Sequence, residues 1–498
     1  MSKYDDESIL CKDFGPKASL GLSLTYVLLG WLVATFVFYD GVFGQRLQVE
    51  LMGPNPMLVN DLPFLGSIVL VGIGLSLALF IGLALKSGSV DRVALGALAF
   101  SFCSDAVPWV FQISLLSIFI ILVSRGLKYQ RIPFRLTPMI VFIGFILISY
   151  MVSFLQTDKP LSVLSNLFYR STYFVAMLLL PGILVSRRHL ETLFDFMLLA
   201  AMLTVGVEIA QFILSAATEQ IITFYSDNYN RVVTPFGVFP RLTGLMYHPN
   251  HQSNILATQA IMALWFATQP KERLKHGRRV FLLIAYVVLA FGVVITWSRS
   301  GWLSIAIVTA LVPLLRYKKF APWYLLLMIS LLVIAYTTGF ASYAYTLVHD
   351  LNGSSADFRW HVDDIAIEAF LSHPWFGVGV GMFTDFFNPY QLEVHDTYLQ
   401  VASGMGIVGI LTVGGFVLAI VLRLLHTCFR PRDIVYREWA IALLLGLLIT
   451  SIQAMFAMFL WVKFLWAMFG ISEAVVLNNR APNGHEPAND FIFLPPPR

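Results

Sequence analysis

Apolar runs of about twenty residues, separated by short polar intervals, recur along nearly the whole chain. Each is long enough to cross a hydrocarbon core of about 30 Å as a helix. In lipid the backbone must satisfy its own polar groups, so continuous runs of this length predict helices. The predicted spans lie near 20–42, 64–86, 91–104, 106–125, 138–156, 168–186 and 190–214, then 243–267, 279–297, 300–316 and 322–341, and finally 398–423, 437–457 and 460–478. The third is short and ends at Asp105 and Pro108, the pattern of a broken or re-entrant piece. The expected count is therefore about 12–14. The first span is too long for a signal-peptide core and lacks a small-residue cleavage site, which predicts an uncleaved anchor. The pattern predicts an all-α, polytopic integral membrane protein.

The pattern breaks once for long. Between the spans ending at 341 and beginning at 398 lies an interval of mixed polarity holding four of the ten histidines. The expected organisation is an amino-terminal tail over 1–19, transmembrane helices over 20–341, this loop over 342–397, further transmembrane helices over 398–478 and a tail over 479–498. The last tail is rich in Asn and Pro and is expected to be disordered.

Composition agrees with the pattern. The chain is 58% hydrophobic and 12% charged, with a mean hydropathy of +0.75, whereas a soluble domain is about a quarter charged. The net charge of +4 says less than its distribution. With the amino terminus in the cytoplasm, all but eight of the 33 Lys and Arg residues fall on the cytoplasmic side, as the positive-inside bias requires. The exceptions are Arg46, Lys159, Arg170, Arg231, Arg241, Arg299, Arg359 and Lys463. This orientation places both tails in the cytoplasm and the 342–397 loop outside it. Cys11, Cys103 and Cys428 provide neither a disulfide framework nor a metal-ligand spacing.

Three short motifs share the non-cytoplasmic side. Arg241-Leu-Thr-Gly244 precedes His248-Pro249-Asn250 where a loop enters a span; Ser298-Arg299-Ser300 occupies a turn between spans; and the long loop carries Arg359 and ends in His395-Asp396-Thr397-Tyr398. An arginine near the apolar boundary is costly unless it meets an anion or reaches water. Three of them beside a histidine suggest a phosphate site next to a base. Each has a plainer reading. A membrane-edge arginine often serves lipid headgroups or a neighbouring carboxylate, Arg359 lies among Asp357, Asp363 and Asp364, and Asn250 and Asn254 share a helix face that would join helices. Gly377, Gly379 and Gly381 lack the strand and helix context of a nucleotide loop and are expected to form a flexible turn after Pro374.

Over roughly residues 190–425 the set of motifs, in this order and sidedness, resembles the O-antigen ligase and polymerase superfamily. The resemblance implies a GT-C-like, metal-independent inverting glycosyltransferase in a bacterial inner membrane, with its active site and large loop on the periplasmic side. Its donor would be a glycan on undecaprenyl pyrophosphate and its acceptor a hydroxyl of another glycan or of a lipid A core. Carried over, Arg241, Arg299 and Arg359 would hold the pyrophosphate and His395 would serve as base, with Asn250, Glu393, Asp396 and Tyr398 in support. Beyond membrane lipids and these substrates no partner, nucleic acid, cofactor or metal is expected. The residues agree with such chemistry without the name: arginine stabilises leaving phosphate oxygens without a metal, and imidazole titrates near neutrality. Two other classes suit a chain of this pattern, a multi-spanning transporter and a non-catalytic export component. A transporter places its binding residues near the bilayer midplane, whereas these charges gather at one face.

Overall fold

The computed structural model describes residues 90–105, 109–129, 137–156, 160–218, 231–234, 237–339, 342, 353–383 and 394–480. The expected spans at 20–42 and 64–86, the tail 481–498 and Glu393 lie outside them. Helices occupy each apolar run in the described part: α1 Val90–Phe102, α2 Trp109–Tyr129, α3 Met139–Gln156, α4 Pro160–Ile183, α5 Arg187–Thr218, α6 Pro249–Ala267, α7 His276–Ile295, α8 Arg299–Arg316, α9 Ala321–Thr337, α11 Thr397–Phe429, α12 Ile434–Ala454 and α13 Lys463–Arg480. A further helix, α10 Gly353–Ser372, stands within the long loop. Strands β1 Arg231–Thr234 and β2 Gly237–Pro240 pair antiparallel ahead of the Arg241 motif. The chain is a helical polytopic membrane protein, and among the described residues six helices are long and apolar enough to cross a membrane by themselves.

Helix α6 is the axis of the bundle. Nearly every residue of it is buried, polar ones included, and it packs against α7, α12, α8 and α5. Polar pairs also join the helices of this bundle. Asn254 bonds Thr450 on α12 at 3.2 Å, and Gln453 on α12 bonds Ser304 on α8 at 2.9 Å. Small residues let the helices approach: a Cβ on Gly301 would lie 1.8 Å from Ser253 Oγ. At the opposite extreme, α9 has no buried residue. Its largely apolar surface, with the Ser330 and Thr337 hydroxyls bonded to their own helix backbone, suits contact with lipid chains rather than protein.

The Gly-rich segment is not the flexible turn expected from its composition. Helix α11 is broken at Gly406, where φ is +63° and ψ is −158°. The break frees main-chain groups of the neighbouring turns, and the segment before α11 takes them up. Pro374 O accepts from Ile407 N at 2.7 Å, Trp375 O from Val408 N at 3.1 Å, and Ser403 O from Val378 N at 2.8 Å. A Cβ on Gly377 would come within 2.5 Å of the backbone of Ser403, Gly404 and Met405, and one on Gly406 would meet Trp375 and Phe376 just as closely. The segment is therefore locked into the helix, and glycine is required because both backbones need positive φ at close approach.

Candidate functional site

The site begins with the turn between β2 and α6. Gly244 has φ +55° and rests against Thr204 and Gln252, while Gln211 Nε2 donates to its carbonyl at 3.2 Å. Thr204 and Gln211 lie on α5 beside Glu208, a carboxylate fully buried under this turn. Glu208 belongs to none of the three motifs, although a carboxylate inside an apolar run is itself a signal. A second anchor is Asp105, whose backbone N–H donates to Leu245 O at 2.8 Å and whose Oδ2 accepts from Tyr247 N at 3.2 Å. Lys463 completes the anchor at 2.7 Å from Asp105 Oδ1. Burial pushes the Asp105 carboxyl up, but Lys463 outweighs it, assisted by the Tyr247 amide and His251, and the net direction is downward.

Asn250, in the first turn of α6, joins the pieces. Its Oδ1 accepts from Arg241 Nη2 at 3.1 Å and from Ser298 Oγ at 3.0 Å, and its backbone N–H donates to His248 Nδ1 at 3.1 Å. Ser298 is the N-cap of α8, yet its hydroxyl faces Asn250 and Ser300 instead of capping its own helix. The preceding Trp297 has φ +53°, the one positive value at a non-glycine among the described residues. A bulky residue held there is strained, and such strain concentrates at functional sites. Thus Arg241 and Arg299, 58 positions apart, are tied through one amide and one hydroxyl.

Arg359 on α10 and His395 before α11 complete the cluster. Burial, then the charges of Arg359 and Arg299, pull the Arg241 guanidinium down to about 10. Burial and Arg299 likewise lower Arg359, against an opposing pull from Asp363. Burial, then His251, Arg241, His395 and Arg359, hold His248 well below its ordinary range. Through these mutual influences three arginines and three histidines share one electrostatic neighbourhood. Among the described residues neither Arg241 nor Arg359 forms an ion pair, and Arg241 Nε is buried without a hydrogen-bond partner. Such a set favours an anion in its midst.

Other expected residues are placed differently. Asp396 caps α11, its Oδ1 accepting from Tyr398 N at 2.7 Å and Leu399 N at 2.9 Å. Burial raises its carboxyl, and through burial and then Asp396 the Asp363 carboxyl is pushed up to about 6. The Tyr398 hydroxyl donates to Ser451 O at 3.1 Å, joining α11 to α12. Thr397 does the same for the α12–α13 turn, donating to Ala457 O at 2.6 Å and accepting from Phe459 N at 2.9 Å. His251 reaches that turn at Met458 O, 3.0 Å away. His361 and His373 are exposed. Of the other topologically disfavoured cations, Lys463 is consumed by Asp105, and Arg170 bonds Tyr150 at 3.1 Å and lies 4.5 Å from the Trp461 ring centre. No group of three or more metal-ligating side chains is found among the described residues.

Residues 282–414 match the family model described as O-antigen ligase. That segment contains Arg299, Arg359, His395, Asp396 and Tyr398, while Arg241, His248 and Asn250 precede it. No curated protein matches the chain.

Proposed function

We propose that this chain, which carries an O-antigen ligase domain and so falls in the O-antigen ligase and polymerase superfamily, transfers a glycan from undecaprenyl pyrophosphate to an acceptor hydroxyl at the periplasmic face of a bacterial inner membrane. The observation that carries this reading is the set of three arginines brought together from three segments, two of them in no ion pair among the described residues. Like charges gathered in a partly desolvated place are costly unless an anion joins them. Pyrophosphate at the headgroup level of a lipid-linked donor is such an anion.

In the transfer step the acceptor oxygen forms a bond to the anomeric carbon. The bond from that carbon to the pyrophosphate oxygen breaks, and its electron pair leaves with undecaprenyl pyrophosphate. His395 takes the acceptor proton, a contribution of about 10² to 10⁴ in rate for a positioned base. Attack from the face opposite the leaving group inverts the anomeric centre. Arg241, Arg299 and Arg359 stabilise the charge on the leaving phosphates, work that a divalent metal does in other transferases. Asn250 and Ser298 hold Arg241 and the start of α8 in register. The Asp396 cap supports this reading by fixing the residue immediately after His395.

The test is purified protein given a lipid-linked oligosaccharide in the presence of a chelator, with mass spectrometry of the products. Glycan lengthened on the lipid carrier identifies a polymerase, and glycan joined to a lipid A core identifies a ligase. A donor left intact with both acceptors present would sink the proposal.

A further inference from the structure

We propose that His248 serves this transfer as a neutral hydrogen-bond donor through Nε2–H and never as a base; the inference rests on the reading of the site given above. The geometry begins with the helix start. His248 is the N-cap of α6, with extended backbone angles (φ −129°, ψ 134°), and Pro249 occupies the first helical position. Its Nδ1 accepts the Asn250 backbone N–H at 3.1 Å. A ring nitrogen that accepts carries a lone pair, so in the neutral ring the proton resides on Nε2. That nitrogen has no proton-accepting lone pair to offer a substrate hydroxyl. Taking a proton at Nδ1 would cost the cap and add a cation beside Arg241 and Arg359.

What remains is donation. The cap occupies Nδ1, which leaves Nε2–H to donate. The same Asn250 that caps to His248 accepts from Arg241 Nη2 at 3.1 Å, so this donor and that guanidinium are held on one residue. A neutral donor there adds a hydrogen bond to a phosphate oxygen as charge develops on it. It does so without placing a fourth positive charge among three arginines. The acceptor proton still goes to His395, and Nε2 keeps its own proton throughout the step.

The experiment separates capping from donation. Asparagine is as good an N-cap as any residue, but its short amide does not present a donor where the imidazole Nε2 lies. His248→Asn and His248→Ala are purified with wild type and compared for Tm, donor KM and kcat with the lipid-linked oligosaccharide. His248→Asn is expected to keep the wild-type Tm while kcat falls about 10²-fold, within the range for one lost donor of this kind. His248→Ala is expected to lose both. A His248→Asn protein that transfers at the wild-type rate overturns the inference and leaves His248 as a cap. Should wild type itself fail to use the donor, the proposed function has failed instead. A measurement that needs no variant to be active is ¹⁵N NMR of histidine-labelled wild type. One ring, missing from the His248→Asn spectrum, should keep Nδ1 unprotonated at the pH of the transfer assay. A protonated Nδ1 on that ring overturns the inference equally.

Discussion

Replacing Arg241 by lysine keeps the charge and removes the fork, which makes it the sharpest probe of how the anion is held. One arm of the guanidinium is already committed, since Nη2 donates to Asn250 Oδ1 at 3.1 Å. The rest of the fork, including the unpartnered Nε, is left for a phosphate. A lysine nitrogen sits at one point and must divide itself between Asn250 and the donor. The loss is therefore close to one charge-assisted hydrogen bond, about 1.5–3 kcal/mol. At 1.36 kcal/mol per decade this is roughly a 10- to 150-fold fall in kcat/KM. The assay is initial-rate transfer from the lipid-linked oligosaccharide, with expression and Tm as controls. Asn250→Ala supplies the second arm of a double-mutant cycle, because it frees lysine from its competing partner. The lysine penalty should shrink in that background. Full activity of Arg241→Lys would refute the paired hydrogen bonding and leave only a generic positive charge, and an unchanged penalty in the Asn250→Ala background would refute the division of labour.

Two further outcomes are expected. His395→Ala should abolish transfer while leaving protein level and donor binding near wild type, and His361→Ala, at an exposed position, should retain most activity; normal transfer by the purified His395→Ala protein would pass the base role to another group. Lys463→Met should lower stability by about 1.5–3 kcal/mol, because half-buried Asp105 loses its charge-assisted hydrogen bond, read as a fall in Tm; an unchanged Tm would mean that the 241–248 turn is held without this pair.

How much of this was legible beforehand depends on where each residue's partner lies. Arg241, Arg299 and Arg359 stand out because the topology that fits the other cations disfavours them, a cost visible in one dimension. Lys463 and Arg170 carry the same cost in the sequence, yet the structure commits them to Asp105 and to Tyr150 and Trp461. Nothing local distinguishes the two groups, since Asp105 is 358 positions from Lys463. His248 and Ser298 were hidden for a different reason: their roles follow from backbone angles at two helix starts, and residue types alone do not report those. Glu208 was hidden because its significance needs the Gly244 turn above it. The helical course of the chain was easy by comparison, because an apolar run in lipid has one way to satisfy its own backbone.

The interlock between Gly377 and the break at Gly406 also bears on how this protein tolerates change. The two segments meet main chain to main chain, so the identity of most flanking side chains is irrelevant to the fit. A saturation scan of protein level should therefore show a sharp spike at Gly377 and another at Gly406. The spikes fall where any Cβ collides with the opposing backbone. The arrangement resembles a keyed joint more than a glued one: its strength lies in the absence of atoms, and no compensating change on the far side can make room for an added one.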